Sequence, residues 1–184
     1  MSRDTAALSE REIAGAATAS LAENLTDSIV APLLYAALFG LPGAAVYRFI
    51  NTADAVLGYR TPELENFGYA AARADDLLNL VPARLAALLL LAAAALSGAH
   101  VRSASRGCWR DRRRTPSPNG GWTMALMAHA LGVRLEKRGV YSLNPEGRSP
   151  VAADVAAAGR LVRLTTALGL GLYALVTLLR ELHV

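Results

Sequence analysis

A chain of 184 residues can hold one domain or one helical membrane module, and 53% of these residues are hydrophobic although only 6% are aromatic. Alanine and leucine therefore supply the apolar mass, at a mean hydropathy of +0.29, which favours helices and argues against a sheet protein. The net charge of +4 rests on 18 arginines and the single Lys137, and it is uneven: residues 102–163 sum to +8 and the remainder to −4. A segment that basic suits phosphorylated small molecules or anionic lipid; without interleaved aromatics or a reading motif it does not suit nucleic acid. Cys108 is alone, so no internal disulfide forms, and His100, His129 and His183 stand at no metal-ligand spacing, which argues against zinc.

The start, MSRDTAALSEREIAG, is charged and helix-like and does not read as a cleavable signal. Ser9-Glu10-Arg11-Glu12 is a capping box for a first helix with Ile13, Ala17, Leu21 and Leu25 at helical spacing. Residues 29–47 are uncharged over a length that crosses a bilayer, but Pro32, Gly40, Pro42 and Gly43 make a broken or re-entrant segment as good a reading as a straight span. Amphipathic pieces broken by GYRTPE and Pro82 fill residues 48–84. Residues 85–101, LAALLLLAAAALSGAHV, form the best transmembrane candidate. The basic region 102–163 follows, with a short apolar helix from Trp122 and then turn-rich, irregular sequence at EKRGVYSLNPEGRSP; residues 164–179 are the last apolar run. The reading is an all-α, polytopic integral membrane protein, a single helical module in the cell membrane, with the basic loop region cytoplasmic by the positive-inside rule.

Two patterns carry chemistry. In CWRDRRRTPSPNGGW, two prolines stiffen the approach to an Asn-Gly-Gly turn that feeds a helix N-terminus beside arginines, a way to hold phosphate or carboxylate. Three helical segments also set an acid with an amide or base on one face: Glu23/Asn24/Asp27, Arg48/Asn51/Asp54, and Arg73/Asp76/Asn79 with Asp75 adjacent. Interhelical bracing explains each set separately; a shared polar centre for magnesium, with Asp27, Asp54 and Asp76 as ligands, and for a nucleotide explains them together. No Walker A, G-x-G-x-x-G or G-x-S-x-G pattern occurs.

RDRRRTPSPNGGW resembles the R-D-x-x-x-T-P-S-P-N-x-G-W signature of the adenosylcobinamide-phosphate synthase family of cobalamin biosynthesis. SLAENLTDSIVAPLLYAALFGLPGAAVYRFINTADAVLGYR, ENFGYAAARADDLLNLVPARL and ALGVRLEKRGVY are similar to other blocks of that family, in its order, so the likeness covers residues 2 to about 163. It implies an integral membrane enzyme that uses ATP to join adenosylcobyric acid, its corrinoid substrate, to aminopropanol or aminopropanol phosphate. Carried over by the signature, Arg110, Asp111, Arg114, Thr115, Ser117, Asn119 and Gly121 would bind substrate or phosphate. By the acidic blocks, Asp27, Asp54, Asp75 and Asp76 would be catalytic, with Glu23, Asn24, Asn51 and Arg73 in the same polar centre. Gly120 and Thr123 stand where alanine and proline are common in the family. Its members usually begin with a further membrane-embedded section, so the resemblance leaves open a split gene, a truncated gene model and a partial product; a split gene would put a separately encoded N-terminal section among the partners, beside other late cobalamin-assembly enzymes. A non-catalytic subunit and a transporter component are the alternative readings.

If residues 85–101 crossed the membrane once, the acidic blocks and the arginine loop would lie on opposite faces. A buried or re-entrant helix would instead keep them together.

Overall fold

In the computed structural model, which describes residues 8–57 and 65–182, the fold is helical apart from one small β-hairpin. The GYRTPE break and His183 lie outside the described residues. Helix α1 (Glu10–Asn24) begins on the capping box: Glu12 N–H donates to Ser9 Oγ at 3.4 Å, and Ser9 N–H donates to Glu12 Oε2 at 3.0 Å. Its buried face is built of Ala14, Gly15, Ala16, Thr18, Ala19 and Ala22, small side chains that let neighbouring helices approach closely. A π-helical turn (Leu25–Val30) follows, with Ala31 N–H donating to the Thr26 carbonyl; such one-turn widenings recur at functional sites.

Helix α2 (Ala31–Leu57) folds back on itself at Gly40, which adopts φ 68° and ψ −164°. The rings of Tyr35 and Tyr47 stack with centroids 5.1 Å apart, whereas twelve residues of straight helix would separate them by about 18 Å. The arms meet so closely that a Cβ on Gly43 would lie 2.5 Å from Phe39 Cβ and 2.9 Å from the Tyr35 carbonyl oxygen. Carbonyls freed at the break are capped from a distance, since the Arg180 guanidinium donates to those of Ala37 and Leu38. Gly43→Ala is expected to cost about 1–3 kcal/mol by forcing the arms apart. A lowered thermal midpoint of the detergent-solubilised protein checks this, and an unchanged midpoint contradicts the close packing.

Helix α3 (Glu65–Leu78) meets α4 (Leu80–Leu96) at a 47° bend. The bend is held from α2: Tyr35 OH donates to the Leu78 carbonyl at 3.0 Å, and Tyr47 OH to Asn79 Oδ1 at 2.9 Å. The apolar run read as residues 85–101 is thus one helix that starts earlier and stops at Ser97–Gly98. Ala83, Ala86, Leu90, Ala93 and Ala94 on it are fully buried, and it reaches the length of a crossing only when joined to α3 across the bend. Helix α5 (Val101–Asp111) carries the chain back toward the start of α4, and α6 (Gly120–Leu131) runs through the core with Met124 to Ala128 buried. Where the sequence reads as irregular, strands β1 (Leu135–Lys137) and β2 (Tyr141–Leu143) pair antiparallel, Leu135 opposite Leu143.

Helix α7 (Ala152–Leu182) divides along its length. Its first half packs Ala158, Leu161, Thr165 and Gly169 into the core, while Leu170, Leu175, Leu178 and Leu182 are exposed. By length and composition, Glu10–Leu57 and Ala152–Leu182 each contain an 18-residue stretch apolar enough to cross a membrane, at mean hydropathies of 1.9 and 1.7 over that stretch. Within the first stretch the arm from Ala31 to Phe39 reaches only about 14 Å, roughly half of a bilayer core, before the chain turns back. An all-α membrane protein is the architecture.

Candidate functional site

The fold-back of α2 and the return of α5 bring distant segments to one polar cavity of about 640 Å³. Glu23 and Asn24 enter from the end of α1, Asp27 from the π-turn, and Arg48, Asn51 and Asp54 from the returning arm of α2. Asp75, Asp76 and Asn79 come from the α3–α4 bend, and Ser117, Asn119 and Gly120 from the loop ahead of α6. The acidic sets and the tip of the TPSPN loop therefore share one centre, because α4 and α5 form a hairpin that returns the chain to its starting level.

The two inner carboxylates are held in place. Asp75 accepts from Asn51 Nδ2 and Asn79 Nδ2, both at 3.0 Å. Asp76 Oδ1 accepts from Ser117 Oγ at 3.1 Å, and its backbone carbonyl accepts from Asn119 Nδ2 at 2.7 Å. Arg48 donates to Asn51 Oδ1 at 3.2 Å and reaches the Asp27 carbonyl at 3.5 Å. By contrast, no described residue donates a hydrogen bond to the carboxylates of Asp27 and Asp54, which line the cavity with lone pairs free. Asn119, at the cap position of α6, spends its side chain on Asp76 and on Arg84, whose Nη1 donates to Asn119 Oδ1 at 2.7 Å. The N-terminus of α6 therefore meets the cavity at Gly120 without a side-chain cap. A second hollow of about 390 Å³ adjoins across Glu23, Asn24 and Ser117 and adds Thr115 and Lys137; Thr115 Oγ1 donates to the Ser117 carbonyl at 2.9 Å.

Other signature residues lie elsewhere. Asp111 is fully buried and points away from the carboxylate cavity: its Oδ1 lies 3.2 Å from Arg114 Nε and 3.3 Å from Arg110 Nε. Its Oδ2 lies 2.9 Å from His129 Nε2 and accepts the Asn144 N–H at 2.9 Å. Burial alone would raise this carboxyl; the Asn144 N–H, His129 and the two guanidinium groups outweigh it and hold it below the usual range. Arg110 and Arg114 are thus captured by Asp111 instead of lining the cavity. Gly121 packs beneath the loop, where a Cβ would lie 2.0 Å from the Arg112 carbonyl oxygen. Arg73 is exposed, its guanidinium 5.1 Å from the Tyr69 ring centroid.

Two residues not singled out from the sequence support the site. Arg84 fixes Asn119 and approaches the Trp122 ring to 5.0 Å, and Tyr47 fixes Asn79. The available signal was a charge inside an apolar helical run, Arg84, and a tyrosine one residue before Arg48. Among the described residues no three carboxylate, histidine or cysteine side chains converge tightly enough to hold a metal alone. The donor set fits magnesium that keeps water and phosphate oxygens as its remaining ligands, and not a cage made only of protein.

Fold and cavity together define a helical membrane protein with a carboxylate-rich polar site built at returning hairpins. Residues 1–168 match the model of the CobD/Cbib protein family, and the chain belongs to that family. It is 51% identical over 143 residues to a probable cobalamin biosynthesis protein CobD of Methanothermobacter thermautotrophicus, covering 78% of this chain and 48% of that protein. The probable cobalamin biosynthesis protein CobD of Methanococcus maripaludis is 47% identical, over 78% of this chain and 47% of its own length. The cobalamin biosynthesis protein CobD of Dehalococcoides mccartyi is 46% identical, over 80% and 48%. The chain spans about half the length of these curated relatives. No solved structure matches it.

Proposed function

We infer that this chain acts in cobalamin biosynthesis as the carboxylate-bearing part of a membrane synthase that joins aminopropanol, or its phosphate, to adenosylcobyric acid at the expense of ATP. The observation that carries this reading is the convergence of three acidic helical sets and the TPSPN loop on one cavity. In the reaction, a corrin carboxylate oxygen attacks the terminal phosphorus of ATP and ADP leaves; the amine nitrogen then attacks the acyl carbon and phosphate leaves. Magnesium, when bound, offsets the phosphate charge. The uncapped N-terminus of α6 and Arg48 orient phosphoryl oxygens, Asp75 and Asp76 stay aimed by their amide and hydroxyl donors, and Asp27 or Asp54 takes the proton released by the amine.

The half-length match to the relatives favours one second reading, a part of the synthase whose chemistry also requires the remaining length of such a protein. Membranes containing this chain, alone and with the corresponding section of a relative, are supplied with adenosylcobyric acid, aminopropanol phosphate and magnesium-ATP. ATP-dependent appearance of the amide by mass spectrometry supports the synthase, and product only in the paired membranes supports the second reading. No product in either overturns both.

The same reading places the basic region in the cytoplasm. Cys108 is buried, and burial pushes its thiol up to about 11, so a cysteine introduced as Ser149→Cys is the reactive one. It is expected to resist a membrane-impermeant maleimide in intact cells and to react after lysis. Labelling from outside reverses the orientation.

A further inference from the structure

The geometry points to a second ligand site, on the exposed face of α5, that binds the phosphate group of a phosphorylated molecule. A cavity of about 770 Å³ lies there, a size typical of small-molecule sites, separate in its lining residues from the carboxylate cavity. Arg102, Arg106 and Arg110, spaced four residues apart, form one stripe along the helix, and all three line this cavity. Arg102 and Arg106 are exposed and have no carboxylate within ion-pair distance among the described residues. Glu146 is the one acid in the lining.

The floor is built, which sets this hollow apart from a solvated row of charges. Asp111, buried beneath it, takes the Nε of Arg110 and the Nε2 of His129, so two lining side chains are fixed while the terminal guanidinium nitrogens of Arg110 stay available. His129 in turn is seated against Gly107, where a Cβ would fall 2.3 Å from its ring. A planar fork beside two unpaired arginines matches the oxygens of a phosphate or polyphosphate. By residue type the lining is polar apart from Val101 and Gly107, which suits a headgroup or a free phosphorylated solute. In this arrangement Asp111, Arg110 and His129 serve the basic site, and the carboxylate cavity is reached by Ser117 and Asn119 from the other end of the same loop.

The test uses the full chain in phosphatidylcholine nanodiscs, titrated with inorganic pyrophosphate in EDTA by calorimetry. A bare polyanion is repelled from the carboxylate cavity without a divalent cation, so the reading proposed above can fail while this one stands, and the reverse. Binding is expected, weakened about tenfold or more by each of Arg102→Gln and Arg106→Gln and only partly by the corresponding lysine changes. Circular dichroism and gel filtration confirm that these surface variants fold. Loss of pyrophosphate binding when phosphatidylglycerol replaces part of the phosphatidylcholine assigns the site to a lipid headgroup; retained binding assigns it to a soluble phosphate compound. No binding in phosphatidylcholine discs, or equal binding by wild type and the glutamine variants, overturns the site.

Discussion

On the function proposed above, Asp27→Asn, Asp54→Asn and Asp76→Asn are each expected to lower amide formation by about a hundredfold or more while protein amount and membrane location stay normal. Asparagine keeps the shape of the side chain and removes the charge that a cation and a leaving proton need. For Asp76 the exchange even keeps the Ser117 hydrogen bond, since the serine hydroxyl can donate to an amide oxygen as it does to the carboxylate at 3.1 Å. If the three acids only braced separate helices, the losses would be modest, independent and visible as reduced stability. Complementation of a strain lacking the synthase, with the remaining section of a relative supplied in trans, separates these outcomes. Normal growth of all three variants removes the shared centre.

Asp111→Ala is expected to destabilise the fold by about 3 kcal/mol. Removing one side of a buried charge cluster typically costs about 3–5 kcal/mol, and the lower end applies because Arg110 and Arg114 are themselves half exposed. The loss has a defined pH signature. Because the folded-state carboxyl sits below its unfolded value of about 4, its stabilisation is complete above that value and disappears as pH falls through the folded one. The gap in urea midpoint between wild type and Asp111→Asn, followed by tryptophan fluorescence, should therefore be constant from pH 7 to 5 and close below about pH 4. A gap that persists in acid would show that the carboxylate charge contributes nothing.

Much of this was legible from local pattern. The capping box at Ser9, the helical spacing that puts Glu23 with Asp27 and Asn51 with Asp54, and the turn at Asn119-Gly120 all depend on neighbours within four residues. The fold-back at Gly40 was readable only as an ambiguity, because glycine and proline mark a break without giving the angle of the chain beyond it; the Tyr35–Tyr47 stack supplies that angle. Asp111 was assigned with its signature neighbours, yet two of its partners, His129 and Asn144, lie 18 and 33 residues away. No periodicity reports a contact of that range. The β-hairpin was missed for a related reason: strands of three residues, Leu135–Lys137 and Tyr141–Leu143, are too short to show alternation above the turn residues that surround them.

The hairpin geometry also bears on how reactants arrive. Asp27 precedes the fold-back of α2 and Arg48 and Asp54 follow it; Asp76 precedes the α4–α5 hairpin and Ser117 follows it. A chain that enters and returns delivers both of its flanks to one end, so these polar groups gather around a single cavity. A carrier has to offer charged solutes a foothold from two directions in turn. On the function proposed above, the bilayer would act as a floor under a workbench, with both reactants arriving from the same aqueous side.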